Sequence, residues 1–263
     1  MARTFDGTND QIAFGSGSEI DALSAFTAVA LVRITGNVTT ERQVVTKMRS
    51  PDHQGKMYIA ALGDGTTNNQ ILAVVSRGPG TDATSISAAN VLAVDTWKVI
   101  VTTFDGTNAV NIYSCSLGGV LTETSYVSQT AGSGALVDDS SATLRVAARD
   151  PLDATFFAGG LAECAIWNRV LTADEMRALG KGFAPAFFPR GRVFYCPITG
   201  RYSTEPNWAG TAHGTVTEAT YLEHPRVIYP SSNTGVKPSA AAASSGITRG
   251  IGRAIMRGLG RFS

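Results

Sequence analysis

The ionisable side chains of this sequence are scattered rather than gathered. Retaining glycoside hydrolysis needs two carboxylates roughly 5 Å apart, which an E-x-D-x-x-E strand supplies, and no such run occurs. Glu163 stands alone, followed by Cys164, Ala165, Ile166 and Trp167. It reads as a structural hydrogen-bonding group or a turn-facing charge. His53, His213 and His224 lack the H-x-x-x-H or H-E-x-x-H spacing that brings two imidazoles together on zinc. Gly15-Ser16-Gly17-Ser18 and Gly132-Ser133-Gly134 do not fit the strand–turn–helix setting of a serine nucleophile elbow. Cys115, Cys164 and Cys196 are odd in number, far apart and without a CxxC pair. They read as buried free thiols rather than as a disulfide framework or a zinc site. With no Walker loop or dinucleotide fingerprint, the expectation is a protein that is not an enzyme and has no resident cofactor.

The elements around these residues are strands. The chain has 263 residues, 43% of them hydrophobic, 16% charged, with a net charge of +1. That is enough to bury a sizeable core, and too neutral overall for a protein governed by nucleic-acid or membrane electrostatics. No apolar run reaches the roughly 18 residues of a membrane span. The opening Met1-Ala2-Arg3-Thr4-Phe5 lacks the layout of a signal peptide. From Thr27 to Ile34, Thr27, Val29, Leu31 and Arg33 alternate with Ala28, Ala30, Val32 and Ile34. Similar runs are Gln43–Lys47, Met57–Leu62, Gln70–Ser76, Trp97–Phe104, Ala109–Ser116, Thr143–Ala148 and Leu161–Asn168. Gly, Asn, Asp and Ser cluster between them, the pattern of an all-β sandwich or barrel. One short helix is predicted near 172–180, with Thr172 and Glu175 forming a capping box.

Residues 181–230 are broken by prolines and read as a β extension packing on the sandwich, with strands at Val193–Cys196 and Val216–Leu222. Residues 231–246 form a small-residue linker. In 247–263, Ile247, Ile251, Ile255 and Leu259 recur every four residues, and so do Arg249, Arg253, Arg257 and Arg261. On a helix the two series lie on opposite sides. The glycines between them each cost about 1 kcal/mol against alanine, so the segment is expected to order only against a partner. An anchoring peptide is the favoured reading. A membrane or nucleic-acid contact and a disordered, solubilising tail are the others.

Phe5-Asp6-Gly7-Thr8-Asn9-Asp10, Trp97 to Thr107, Leu144-Arg145-Val146 and Phe157 to Met176 occur in the order of four motifs of one family. Residues 2 to about 180 therefore resemble the laminin G-like branch of the concanavalin A-like jelly rolls. That resemblance implies a jelly-roll sandwich over 1–180, with the first and last strands side by side. In it Trp97 and Trp167 pack in the core or on a sheet. Glucanases of this fold carry the E-x-D-x-x-E strand that is missing here. Calcium is the one cofactor the family makes conceivable, and Asp64, Asp138 and Asp139 are the oxygen donors it would use. Tyr58, Tyr113 and Tyr126 are the candidates for an exposed aromatic cluster that would bind glycans. Val193 to Gly200, Asn207 to Thr217 and His224-Pro225 are similar to the C-terminal part of laminin G-like proteins of tailed phages. This second resemblance implies a virion structural protein, made in the host cytoplasm, decorating capsid or tail through its C-terminal region. Its expected partners are major capsid or tail subunits and surface glycans, in an oligomeric arrangement, with neither nucleic acid nor membrane. The alternative is a carbohydrate-binding or adhesion module.

Overall fold

The computed structural model describes residues 2–21, 23–49, 54–62, 68–149, 155–201 and 203–231. The fold lies within one compact unit, Met1–Tyr229. Its strands run β1 (Ala2–Asp6), β2 (Gln11–Gly15), β3 (Phe26–Ile34), β4 (Arg42–Arg49), β5 (Gln54–Leu62), β6 (Gln70–Val75), β7 (Arg77–Gly78) and β8 (Ala83–Ser87). Next come β9 (Lys98–Phe104), β10 (Asn111–Ser116), β11 (Thr122–Glu123), β12 (Tyr126–Thr130), β13 (Ala135–Leu136), β14 (Leu144–Val146) and β15 (Ala158–Trp167). Helix α1 (Ala173–Gly180) precedes β16 (Arg192–Cys196), β17 (Thr204–Glu205), β18 (Gly214–Thr217) and β19 (Thr220–Leu222).

Two antiparallel sheets form a sandwich. The first has the order β11-β10-β9-β3-β15-β1-β19, with β16 also paired to β15. The second has the order β12-β8-β6-β5-β4-β14-β2-β18-β17. The first strand lies beside the last strand of the jelly roll, as the motif order implies: Phe5 faces Gly159 and Asp6 faces Ala158. The Asp-Gly turns are tied by their own carboxylates. Asp6 accepts the Thr8 N–H at 2.7 Å, and Asp105 accepts those of Thr107 and Asn108, both at 2.9 Å.

The alternation in β3 is resolved into two apolar layers. Ala28, Ala30, Val32 and Ile34 face the core between the sheets, with Ile12, Phe14, Val45, Ile59, Ile71 and Val146 across from them. Val29 and Leu31 face outward, into a second apolar layer with Val99, Val101, Ala165, Trp167 and Tyr195. Helix α1 covers that layer through Leu179 and Met176, and the extension covers it through Phe188, Leu222 and Val227. Trp167 is fully buried there and its indole N–H donates to the Phe188 carbonyl at 2.7 Å. Trp97 is half-buried against the same layer. A sheet covered on both faces explains why β3 and β15 read as nearly continuous apolar runs.

Thr172 caps α1 reciprocally with Glu175. The single strand expected over Val216–Leu222 is instead two. β18 belongs to the second sheet and β19 to the first, and Glu218, at φ +54°, makes the turn between them. β2, β8 and β12, and the two-residue strands β7, β11, β13 and β17, have no counterpart among the expected runs. β8 and β12 are rich in Ser and Thr, and most of β12 is exposed, so neither has an apolar stripe to betray it. Cys164 and Cys196 are free, fully buried partners across β15 and β16, and Cys115 is half-buried.

Candidate functional site

The site begins with an interruption in β15. Leu161 faces the inter-sheet core and Ala162 the outer layer; Cys164 returns to the core and Ala165 to the outer layer. Glu163 is therefore one extra residue. The pairing with β3 shifts between Ala162 and Ala165, and Glu163 takes φ +52°. Such a bulge keeps the apolar residues on either side in phase and re-aims one side chain. Here the side chain is a fully buried carboxylate. Glu163 Oε2 accepts the Tyr195 hydroxyl at 2.7 Å. Its Oε1 accepts the Tyr229 hydroxyl and lies 3.1 Å from His224 Nε2. Burial first, and then the Glu163 charge, hold both phenols protonated far above the usual tyrosine range. The His224 Nδ1 lies 2.7 Å from the Pro225 carbonyl, which fixes the ring.

A second buried carboxylate holds the neighbouring loop. Glu205, fully buried, accepts from Arg3 Nε at 2.6 Å and from the backbone N–H groups of Thr199 and Gly200, both at 2.7 Å. The Thr199 hydroxyl donates to it at 3.1 Å. This clamp sets the turn that presents Arg201. Gly200 is required there, because it sits at φ +67° and a Cβ would lie 2.7 Å from the Ala2 carbonyl oxygen. Asn207 closes the third side. Its Oδ1 accepts the N–H groups of Tyr195 and Ala209, both at 3.1 Å, while the Trp208 N–H donates to the Tyr195 carbonyl at 2.7 Å. Trp208 stands edge-on to Tyr195 at 5.4 Å and 88°, yet 51% of its surface remains exposed.

Between these supports lies an open cleft of about 400 Å³, lined by Pro197, Thr199, Arg201, Pro206, Trp208, His224 and Tyr229. Its volume falls in the range of small-ligand sites, about 300–1,000 Å³. The lining combines an aromatic face, hydroxyls whose protons are committed to buried carboxylates, and a guanidinium. Tyr229 and Thr199 thereby keep oxygen lone pairs for an incoming donor.

The residues expected from sequence fall elsewhere. Tyr126 is half-buried, donates to Glu123 at 2.8 Å and accepts the Ile112 N–H at 2.9 Å, so it is no free platform. Tyr113 is half-buried against the outer apolar layer, and the side chain of Tyr58 lies outside the described residues. The exposed aromatics of the cleft, Trp208 and Tyr229, lie instead in the extension. The two expected calcium donors that are described do not form a cluster. Asp138 accepts the Ser140 N–H at 3.0 Å, while Asp139 is buried with its carboxylate 3.5 Å from the Lys47 ammonium. Among the described residues no three His, Cys, Asp or Glu side chains come together to hold a metal. Asp64, His53 and the whole of 247–263, with Ile247, Arg249, Ile251, Arg253, Ile255, Arg257, Leu259 and Arg261, lie outside the described residues. His213 accepts the Asn207 N–H at 3.3 Å, beside the cleft rather than in it.

Comparison with known proteins agrees with this architecture. The family model described as the concanavalin A-like lectin/glucanases superfamily matches residues 6–177. No curated protein matches the chain in sequence. A candidate carbohydrate-binding protein from Bacteroides ovatus is 15% identical, with a TM-score of 0.55, over 86% of this chain. Tailspike protein 2 of an Escherichia coli O157:H7 bacteriophage is 11% identical, with a TM-score of 0.52, over 74% of this chain. The match spans 61% of the former chain and 26% of the latter. Of the side chains that build the cleft, Glu163 and Arg3 are the two that precede residue 177; Arg3 also precedes the matched range, and the lining itself follows it. With the matched range running from β1 to α1, and β1 seated beside β15, the chain belongs to the concanavalin A-like lectin/glucanase superfamily, in its laminin G-like branch.

Proposed function

We propose that this chain is a non-enzymatic glycan-recognition module whose binding site is the cleft between Trp208, Tyr229, His224 and Arg201. The observation that carries this reading is the half-exposed Trp208 ring, held rigid by Tyr195 and Asn207 at the mouth of a cleft rich in hydrogen-bonding groups. A pyranose has an apolar C–H face that stacks on an aromatic ring and hydroxyls that need fixed partners. A preordered site offers both without an ordering cost. The Glu163 carboxylate is buried and committed to three neighbours, which suits a support rather than an acid or nucleophile. The B. ovatus protein's description supports the same reading.

The test is a glycan array followed by calorimetry with the full chain, with and without calcium. Saturable binding of an oligosaccharide is expected, weakened at least about 10-fold by Trp208→Ala, the equivalent of about 1.4 kcal/mol. The variant should still unfold in one cooperative thermal transition, its midpoint lowered only by the lost Tyr195 contact. Binding that survives Trp208→Ala intact would move the site elsewhere, and no binding on a broad array would end this reading.

The setting we propose is a tailed-phage particle, in which the jelly roll decorates capsid or tail and the C-terminal region attaches it. Two features support it: the likeness of 193–225 to phage laminin G-like proteins, and the four-residue repeat of isoleucine and arginine in 247–263. The fold shared with a phage tailspike is consistent with it. Mass spectrometry on density-purified particles should find the chain in many copies. A variant lacking 247–263 should fold but no longer join particles. Unchanged incorporation would sink the anchoring role.

A further inference from the structure

We infer that the cleft selects glycans carrying an anionic group, such as a uronic-acid carboxylate or a sulfate ester, and that Arg201 reads it. This rests on the glycan reading above and names the ligand class of the same site.

Arg201 is exposed on a turn that Glu205 fixes through the backbone of Thr199 and Gly200. Three other arginines of the fold are committed. Arg3 binds Glu205 and the Ala219 carbonyl, Arg169 binds Glu175, and Arg192 binds the Pro185 carbonyl and lies over the Tyr195 ring. Arg201 makes no hydrogen bond or ion pair with any described residue.

Among the described residues no carboxylate lines the cleft. The two acids behind it, Glu163 and Glu205, are fully buried and saturated by donors. Glu218 borders Arg201 only across a separate, more open depression and accepts from Asn9 Nδ2 at 3.0 Å. The wall facing a ligand therefore carries a guanidinium, its five N–H donors in a planar fork, with the nearest acid, Glu218, set on the neighbouring depression. Such a fork matches the two oxygens of a carboxylate or sulfate, and a charge-assisted pair is about twice as strong as a neutral hydrogen bond. Trp208 and Arg201 line one cleft, so a single sugar can stack on the first while its acidic substituent meets the second.

The experiment compares three oligosaccharide sets on the full-length protein by calorimetry: neutral hexose oligomers, uronic-acid oligomers and sulfated oligomers. Wild type, Arg201→Gln and Trp208→Ala are measured, with thermal midpoints recorded for each. At least one acidic set should bind at least about 10-fold more tightly than its neutral counterpart. Arg201→Gln should erase that preference, bringing acidic and neutral ligands level, with the thermal midpoint in place. Added salt should weaken only the acidic ligands. Uronate against sulfate then identifies which anion is read. Neutral and acidic sugars binding alike, with loss in Trp208→Ala but not in Arg201→Gln, overturns the anionic assignment and leaves the glycan reading standing. Failure of every set to bind removes both.

Discussion

At the scale of single residues, the most consequential group is Glu163, a buried carboxylate set against two phenols and an imidazole. It joins Tyr195 on β16 to Tyr229 and His224 at the end of the extension, which lie far away in sequence. Replacing it with leucine leaves the buried Tyr195 hydroxyl without its acceptor, while that of the more exposed Tyr229 can turn to water; an unsatisfied buried group costs about 1–3 kcal/mol. Glu163→Leu should therefore lose roughly 1–3 kcal/mol in urea unfolding and weaken the glycan binding proposed for the cleft. Glu163→Gln keeps an acceptor and should recover most of that loss. Equal damage in both variants would show that hydrogen bonding is not what Glu163 supplies. The lone glutamate was legible in the sequence as structural, but its partners were not. Nothing local in Tyr195, Tyr229 or His224 marks them as neighbours, because a bulge and a proline-broken extension bring them together. Trp208 and Arg201 stayed hidden for the same reason. Tyr58 and Tyr113 sit in readable strand runs, whereas Tyr126 lies in β12, outside all of them.

At the scale of elements, two local devices hold the jelly roll's closing segment. In the first, Arg169 grips both oxygens of Glu175 at 2.6 and 2.7 Å while Glu175 completes the α1 capping box. The Arg169 hydrogen bonds hold the Glu175 carboxyl at about 2, below its ordinary value of 4.5. Asp105 is likewise lowered to about 2, chiefly by the N–H groups of Asn108 and Thr107. A carboxylate with a depressed folded value adds stability above its unfolded value, and loses it as the pH falls through the folded one. Stability should thus decline from about pH 5 toward pH 2. Glu175→Gln should flatten part of that decline and cost about 1 kcal/mol at neutral pH. A variant with the wild-type acid profile would remove Glu175 from the account. The second device is Gly159, at φ +140°, where a Cβ would lie 2.2 Å from the Arg33 carbonyl oxygen. Gly159→Ala should cost about 3 kcal/mol or more. Gly160→Ala should cost less, since its nearest obstacle is the end of the Leu222 side chain. The capping box could be read directly, because it is complete within four residues. The break at Glu218 could not, because a glutamate at positive φ carries no turn signal of the kind that glycine or asparagine gives.

At the scale of the whole molecule, the fold is a sandwich with a third layer over one face. The first sheet is sealed between the inter-sheet core and the covering of α1 and the extension, and the cleft is cut into that covering. The glycan site proposed there would draw its lining from the covering and leave the inter-sheet core untouched. The sealed sheet has a further consequence, which concerns time rather than binding. Cys164 and Cys196 face each other inside it, with burial pushing both thiols well up, while Cys115 sits half-buried near the surface. A thiol reagent can meet the inner pair only when the two sheets part. In an alkylation time course followed by mass, Cys115 should react first and alone. The other two should then be modified together, at a rate that rises with dilute urea in step with global unfolding. Early labelling of Cys196 by itself would mean that the extension peels away from β15 before the sandwich opens. The chain thus carries an internal stopwatch for its own coming apart.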